Sequence, residues 1–234
     1  MLAKDKDDIK KDAKNDAKQD TTLTTKITST LRENIICGDI VPGAKLSEPK
    51  LAVRFDTSRG PIREAIRRLE SMGLVQHVPH EGVKVITLSL ERVIEIYHVR
   101  EALEGKAAAL ASQNMSDQEI SELKTLMNMH SDHQSNTGVY MQAEGDFDFH
   151  YKIIQGSKNN FLIRQLCEDL YHLIRMFRYQ SSQFSHRASV AVIEHQQLLY
   201  ALEQRDQQLA EIMMRRHIER AREDIIQKLR ELKP

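Results

Sequence analysis

The sequence contains no tryptophan, only two cysteines, Cys37 and Cys167, and just nine glycines and five prolines among 234 residues. Two widely separated cysteines offer neither a disulfide framework nor a Cys-x-x-Cys metal or redox motif, and they suit a reducing compartment. No apolar run is long enough to span a bilayer, and the opening "MLAKDKDDIKKDAKNDAKQD" lacks the apolar segment of a secretory signal. A cytoplasmic protein without a membrane span is therefore expected. Net charge is also missing, with 34 basic residues against 34 acidic ones. With few helix breakers and 40 % hydrophobic residues, the profile is that of a mainly α-helical chain, and its length suggests two domains.

The zero average hides an asymmetry. Residues 21–86 carry ten basic and seven acidic side chains, whereas residues 87–234 carry eighteen and twenty-one. Residues 1–20 hold six Lys against six Asp with almost nothing to bury, so they are expected to form a disordered tail. The expected domains are 21–87 and 88–234.

The first domain centres on "SEPKLAVRFDTSRGPIREAIRRLESMGLVQHVPHEGVKVI", Ser47–Ile86. An amphipathic helix from about Thr21, with Ile27, Leu31 and Ile35 on one face, precedes it and ends at Gly38. Ser47 caps a short helix through Leu51, Ala52 and Phe55, with Pro49 tolerated in the first turn. After a turn at Asp56-Thr57, Ser58 caps a second helix in which Ile62, Ala65, Ile66 and Leu69 mark a buried stripe. Arg59, Arg63 and Arg67, spaced by four, form a separate cationic stripe. Gly73 fits a helix C-cap, and the β-rich runs 74–78 and 83–87 are joined by Pro79-His80-Glu81-Gly82. Two helices, a tight turn and a hairpin are the parts of a winged helix-turn-helix. Exposed arginines at a helix start suit the major groove, where a guanidinium can bond guanine or clamp a phosphate. Ser58, Arg59 and Arg63 are the candidate base readers. Arg67 and Lys50 are candidates for phosphate, with His80 and Gly82 as wing contacts.

From Ser89, a helix cap, only helices are expected: through Val93, Ile96, Val99, Leu103 and Ala107 to about Gln113; from the capping box Ser116-x-x-Glu119 to about His130; then 138–155, 160–183, 188–204 and 206–231. The polar "SDHQSNTG" reads as a loop. These helices make an antiparallel six- to seven-helix bundle, whose sites lie between facing helices.

Four residues of this bundle can converge. Asp146 and His150, four apart, share a helix face that Phe149, Ile153 and Ile154 draw toward the core. His195 and His217 lie about 14 and 18 Å along two antiparallel helices from the turn near Arg205, at similar height. One carboxylate and three imidazoles suit a divalent cation, zinc first, with nickel or manganese as alternatives, and leave positions for an oxygen ligand. His77, His98, His130, His133, His172 and His186 meet no such condition.

Both halves resemble known families. "LAVRFDTSRGPIREAIRRLESMGLVQHVPHEGVKV" is similar to the DNA-binding domain of the GntR family of bacterial transcription regulators. "DFDFHYKIIQGSKNNFL", "IEHQQLLYALEQRDQQLAEIMMRRHIERA" and "VREALEGKAAALA" resemble the FCD domain of its FadR subfamily. The resemblance implies that Asp146, His150, His195 and His217 fall on the metal positions of the metal-binding branch. It also implies that the metal's open positions accept the carboxylate of a small organic acid. Arg100 is the first candidate to complete that clamp, although a salt bridge to Glu104 at i+4 competes for it; Arg175 and Arg178 are further candidates. The reading is a homodimeric regulator, commonly a repressor, on a palindromic operator.

Two alternatives stand beside it. A metal-dependent hydrolase would use the same ligands, but no His-Glu-x-x-His motif supplies a general base, and Glu194 points about 100° away from its neighbour His195. In the other alternative the regulator binds its effector without metal.

Overall fold

The structure, a computed structural model, describes residues 22–87, 89–137, 148–182 and 185–231. The tail expected over residues 1–20 lies outside them. The chain divides into two compact units, Met1–Thr87 and Leu88–Pro234.

In the first unit, α1 covers residues 22–36 and buries Ile27, Leu31, Ile35 and Ile36. Helix α2 is Glu48–Arg54, with Pro49 in its first turn, and α3 is Arg59–Ser71. Between them Asp56 adopts a left-handed φ of 47° that makes the turn tight. The α3 stripe of Ile62, Ala65, Ile66 and Leu69 is buried, so the 3.6-residue period alone orients this helix on its core. Ser47 and Ser58 occupy the N-cap positions with extended backbones, but neither hydroxyl makes the capping hydrogen bond.

Met72 and Gly73 end α3, and Gly73, at φ 70°, takes the left-handed conformation that lets the chain reverse. Strands β1 (Val75–Val78) and β2 (Gly82–Val85) pair antiparallel, Val75 opposite Val85 and Val78 opposite Gly82. The segment around Lys45 extends the hairpin, because Leu46 donates to the Val83 carbonyl and Val85 to that of Ala44, both at 2.9 Å. Buried Leu74, Val75, Val85 and Ile86 anchor the base of the wing and leave its tip in solvent.

The second unit is helical. Its elements are α4 (Leu90–Asn114), α5 (Asp117–Thr137), α6 (Phe149–Gly156), α7 (Asn160–Arg164), a π-helical stretch Gln165–Asp169, α8 (Tyr171–Ser182), α9 (Ser185–Glu203) and α10 (Gln207–Glu231). Helix α10 runs along α4, α9 packs on α10 and α5, and α6 lies on α4. Close approach of α4 and α10 depends on Gly105, where an added Cβ would sit 2.6 Å from Arg215 Cγ. Arg205, at the α9–α10 turn, donates to the carbonyls of Ser112 and Met115 at the end of α4 and pairs with Asp117. The turn is thereby fixed to α4, and with it the register of α9 against α10.

Three expectations about this unit change. Helix α5 continues past His130 to Thr137, through most of the polar stretch expected to be a loop. Polarity there reports exposure and not backbone conformation. The reciprocal cap between Ser116 and Glu119 starts this helix as expected. The helix expected over 160–183 is interrupted, because Leu170 N–H bonds the Gln165 carbonyl five residues back. That extra residue rotates the helical face, after which α8 buries Tyr171 and every residue from Leu173 to Arg178. The helix expected over 138–155 is described only from Phe149, with Asp148 as its extended N-cap accepting from the His150 and Tyr151 N–H groups. The extended backbone of Asp148 interrupts the continuous helix that would set Asp146 and His150 on one face. Asp146 itself lies outside the described residues.

Candidate functional site

On the first unit, Ser58, Arg59, Arg63 and Arg67 are all exposed along α3, as is Lys50 on α2. The apolar stripe of α3 is buried, so its arginine stripe necessarily faces outward. His80, exposed at the wing tip with φ 63°, and Gly82, with φ 87°, sit where the hairpin reverses. Arg63 is joined to Glu48 of α2: its Nε and Nη2 donate to the two carboxylate oxygens at 3.4 and 3.2 Å. Sequence spacing gave no hint of that pair, since Glu48 and Arg63 are on different helices.

Inside the second unit, His150 from α6, His195 from α9 and His217 from α10 come together, all three buried. His195 Nε2 lies 3.2 Å from His150 Nε2 and 3.2 Å from His217 Nε2. Phe149 stacks on the His195 ring at 4.5 Å between centroids and closes one side.

Two carboxylates orient the outer two rings. Glu104 Oε2 is 2.7 Å from His150 Nδ1, and Glu194 Oε2 is 2.7 Å from His217 Nδ1. Ionised carboxylates only accept, so each Nδ1 carries the proton and each Nε2 presents a lone pair to the centre. Burial pushes the His150 pKa below its ordinary value, with Glu104 partly opposing, so this ring is neutral. Burial alone would raise the Glu104 carboxyl, but Arg100 and His150 beside it hold it far below the usual carboxylate range.

His195 has at most one Nε2 proton to share between two acceptors. At most one of the two contacts can be a full hydrogen bond, whereas a cation among the three nitrogens would accept a lone pair from each. Two nitrogens bound tetrahedrally to zinc, each about 2.0–2.1 Å from it, are about 3.3 Å apart, close to the observed separations. The donor set fits a divalent cation.

Glu104 and Glu194 are the functional residues that sequence reasoning missed. Its i+4 spacing marks Glu104 only as a partner of Arg100, and it is that too, at 2.7 Å from Arg100 Nε. Helical spacing turns Glu194 about 100° away from His195. The angle is right for a residue that serves the neighbouring helix, where it holds His217 and also accepts from Arg220 at 2.8 Å. The Glu194–His217 pair borders a surface groove of about 600 Å³ that Tyr200, Met213 and Arg216 also line.

The three candidate effector arginines are all buried. Arg100 lies over the Tyr97 ring at 4.6 Å, and among the described residues neither Arg100 Nη1 nor the Tyr97 hydroxyl, both buried, has a hydrogen-bond partner. Arg178 is held by Asp148 through both terminal guanidinium nitrogens, with Nη1 at 3.0 Å from Oδ1 and Nη2 closer still to Oδ2. Its fork is thus already engaged within the protein, while Arg100 retains a donor. Arg175 stands one helical turn before Arg178 on α8. Cys37 and Cys167 are free thiols, and burial pushes that of Cys167 up to about 12, so it is unsuited to metal ligation or redox chemistry. No helix among the described residues is long and apolar enough to cross a membrane.

Comparison with known proteins places both units. Residues 23–85 match the model of bacterial regulatory proteins of the gntR family, and residues 95–220 match that of the FCD domain. The transcriptional repressor RspR of Escherichia coli is 28 % identical over 202 residues, 84 % of this chain and 86 % of that protein. The HTH-type regulator YdhC of Bacillus subtilis is 28 % identical over 187 residues, 77 % of this chain and 80 % of its own length. Among solved structures, E. coli McbR/YncC superposes with a TM-score of 0.70 at 22 % identity, over 88 % of this chain and 98 % of that one. A GntR regulator from Rhodococcus sp. RHA1 gives 0.69 at 24 % identity, over 87 % and 97 %. These relatives are regulators and not enzymes, and the hydrolase alternative falls with them. The chain belongs to the GntR family of bacterial regulatory proteins, as a DNA-binding transcriptional regulator whose winged helix-turn-helix is followed by an FCD domain.

Proposed function

We propose that this protein is a cytoplasmic, homodimeric repressor whose grip on a palindromic operator is set by a small carboxylate bound beside a divalent metal in the helical unit. The observation that carries the reading is the convergence of three buried Nε2 atoms with two of the rings locked by carboxylates. His150, His195 and His217 would hold the metal, with Asp146 as the fourth protein ligand. Zinc suits three imidazoles of this spacing with one carboxylate best, and nickel or manganese are the alternatives. Bound there, the metal supplies a Lewis-acidic position for a carboxylate oxygen.

The remaining recognition is the protein's own. Arg100 Nη1 and the Tyr97 hydroxyl are buried donors without a partner among the described residues, and a carboxylate would satisfy both. Arg100 is also linked through Glu104 to His150, so one network of charge-assisted hydrogen bonds spans the arginine and the imidazoles. Arg175, and Arg178 once released from Asp148, would extend the same polar lining. For an acid to relieve repression, it must bind the DNA-free state more tightly than the DNA-bound one, by about 1–3 kcal/mol in typical couplings. On the DNA side, Ser58, Arg59 and Arg63 would read bases, Lys50 and Arg67 would bind phosphates, and His80 and Gly82 would support from the wing.

The test is elemental analysis of protein purified without a histidine tag, paired with mobility shifts on the DNA upstream of its own gene and a panel of small organic acids. About one metal per chain, lost in His195→Ala, and an acid response lost with it, is the expected result. An acid response that persists in metal-free protein would transfer the site to Arg100 and Tyr97 alone.

A further inference from the structure

Arg63 is held side-on. Glu48 takes its Nε and Nη2 with both carboxylate oxygens, and the pair is solvent-facing, with side chains 57 % and 32 % exposed. Arg59 and Arg67 on the same stripe are also exposed, but among the described residues no carboxylate clamps either of them. An exposed ion pair contributes little to folding stability, so stability is a poor reason for this geometry. The geometry does restrict how Arg63 can meet a ligand. A guanidinium whose Nε–Nη2 edge is occupied still offers its Nη1–Nη2 edge, and that end-on pair of donors matches the O6 and N7 of guanine.

Resting on the reading that Arg63 contacts a base, we infer that Glu48 is a positioning residue for sequence discrimination: it fixes the Arg63 fork end-on before DNA arrives. Two consequences follow from the physics. A side chain already restrained loses less conformational freedom on binding, which favours the one base arrangement it is set for. The carboxylate also offsets one cationic charge on the reading face, which weakens sequence-independent attraction to phosphates. Glu48 therefore trades general affinity for selectivity. Its own placement is local: an acidic residue in the first turn of α2 is favoured by the helix dipole, and the tight turn at Asp56 brings that turn beside the second turn of α3.

The experiment is selection of binding sites from a randomised double-stranded DNA library by the full-length wild type, Glu48→Gln, Arg63→Ala and the double variant, with affinities for selected and random DNA measured across a salt series. Thermal melts of each variant confirm that the fold is retained. Glu48→Gln is expected to bind random DNA several-fold more tightly with a steeper salt dependence. Its base preference at the position that Arg63→Ala flattens should fall about tenfold, the scale of one bidentate contact. In the Arg63→Ala background, Glu48→Gln should change no base preference. Glu48→Asp, too short to reach both nitrogens without backbone movement, should be intermediate.

If Arg63→Ala flattens one position while Glu48→Gln leaves it unchanged, the positioning role is overturned and base reading by Arg63 stands. If Arg63→Ala flattens none, base reading by Arg63 fails, and the role of Glu48 with it.

Discussion

Glu194 and His217 sit on adjacent antiparallel helices, and the carboxylate of the first accepts from Nδ1 of the second at 2.7 Å while the neighbour of Glu194, His195, faces the same centre. Adjacent residues of α9 thus act on two different imidazoles of one cluster. Removing the carboxylate as Glu194→Ala would leave the Nδ1–H of a buried ring without its acceptor and free the ring to rotate. Metal affinity is expected to fall about 10- to 100-fold, the usual cost of losing such an orienting partner. Competition against a chromophoric chelator measures it. Glu194→Gln, which keeps an acceptor but not the charge, should lose less, and an unchanged affinity in both variants would refute the role.

This pair also marks the limit of what the residues alone reveal. The histidines were legible because similar distances from one turn give similar heights on antiparallel helices, a one-dimensional argument. The α3 stripe and the hairpin were legible because period and turn chemistry are local. Glu194 and Glu104 were not, because each serves a ring on another helix, and the choice of ring depends on how those helices are rotated against each other. The π-helical stretch at Gln165–Asp169 was equally invisible: one residue's shift in hydrogen bonding leaves no mark in composition, yet it decides which face of α8 is buried.

The Asp148–Arg178 pair predicts a pH dependence. Burial by itself would push the Asp148 carboxyl up, but the Arg178 guanidinium outweighs it and holds the group below its ordinary value of 3.8. A carboxyl depressed in the folded state contributes stability that is fully present above the unfolded value and is lost as pH falls through the folded one. The helical unit should therefore lose stability as pH drops below about 4, and Asp148→Asn should flatten that acid limb. At neutral pH, Arg178→Leu should cost about 3–5 kcal/mol, because it strands a buried charge. Denaturant unfolding at a series of pH values reads both effects.

Gly156 is a packing constraint that substitution exposes. It ends α6, and a Cβ there would lie 2.5 Å from Met115 Cγ and 2.7 Å from its sulfur, with Met115 itself buried. Methionine is flexible, but a buried one has few places to go. Gly156→Ala is expected to destabilise the helical unit by about 1–3 kcal/mol, as overpacking does. The double variant Gly156→Ala with Met115→Ala should recover part of that loss, which thermal melts would show.

The arginines of α3 should not be equivalent. Arg59 is the first residue of the helix, where side chains reach base edges when such a helix enters the major groove, whereas Arg67 lies two turns further along the same stripe. Loss of a base contact lowers specific affinity more than random affinity; loss of a phosphate contact lowers both alike and removes about one unit from the salt slope. Arg59→Ala should therefore cost about 1–3 kcal/mol on the selected operator and relax preference at one position in each half-site. Arg67→Ala should weaken operator and random DNA together, with a shallower salt dependence. Both variants keep the buried stripe of Ile62, Ala65, Ile66 and Leu69, so their folds should be unchanged. Parallel titrations of each variant against operator and random DNA at several salt concentrations separate the two roles, and a uniform loss on operator and random DNA in both variants would mean that neither arginine reads sequence.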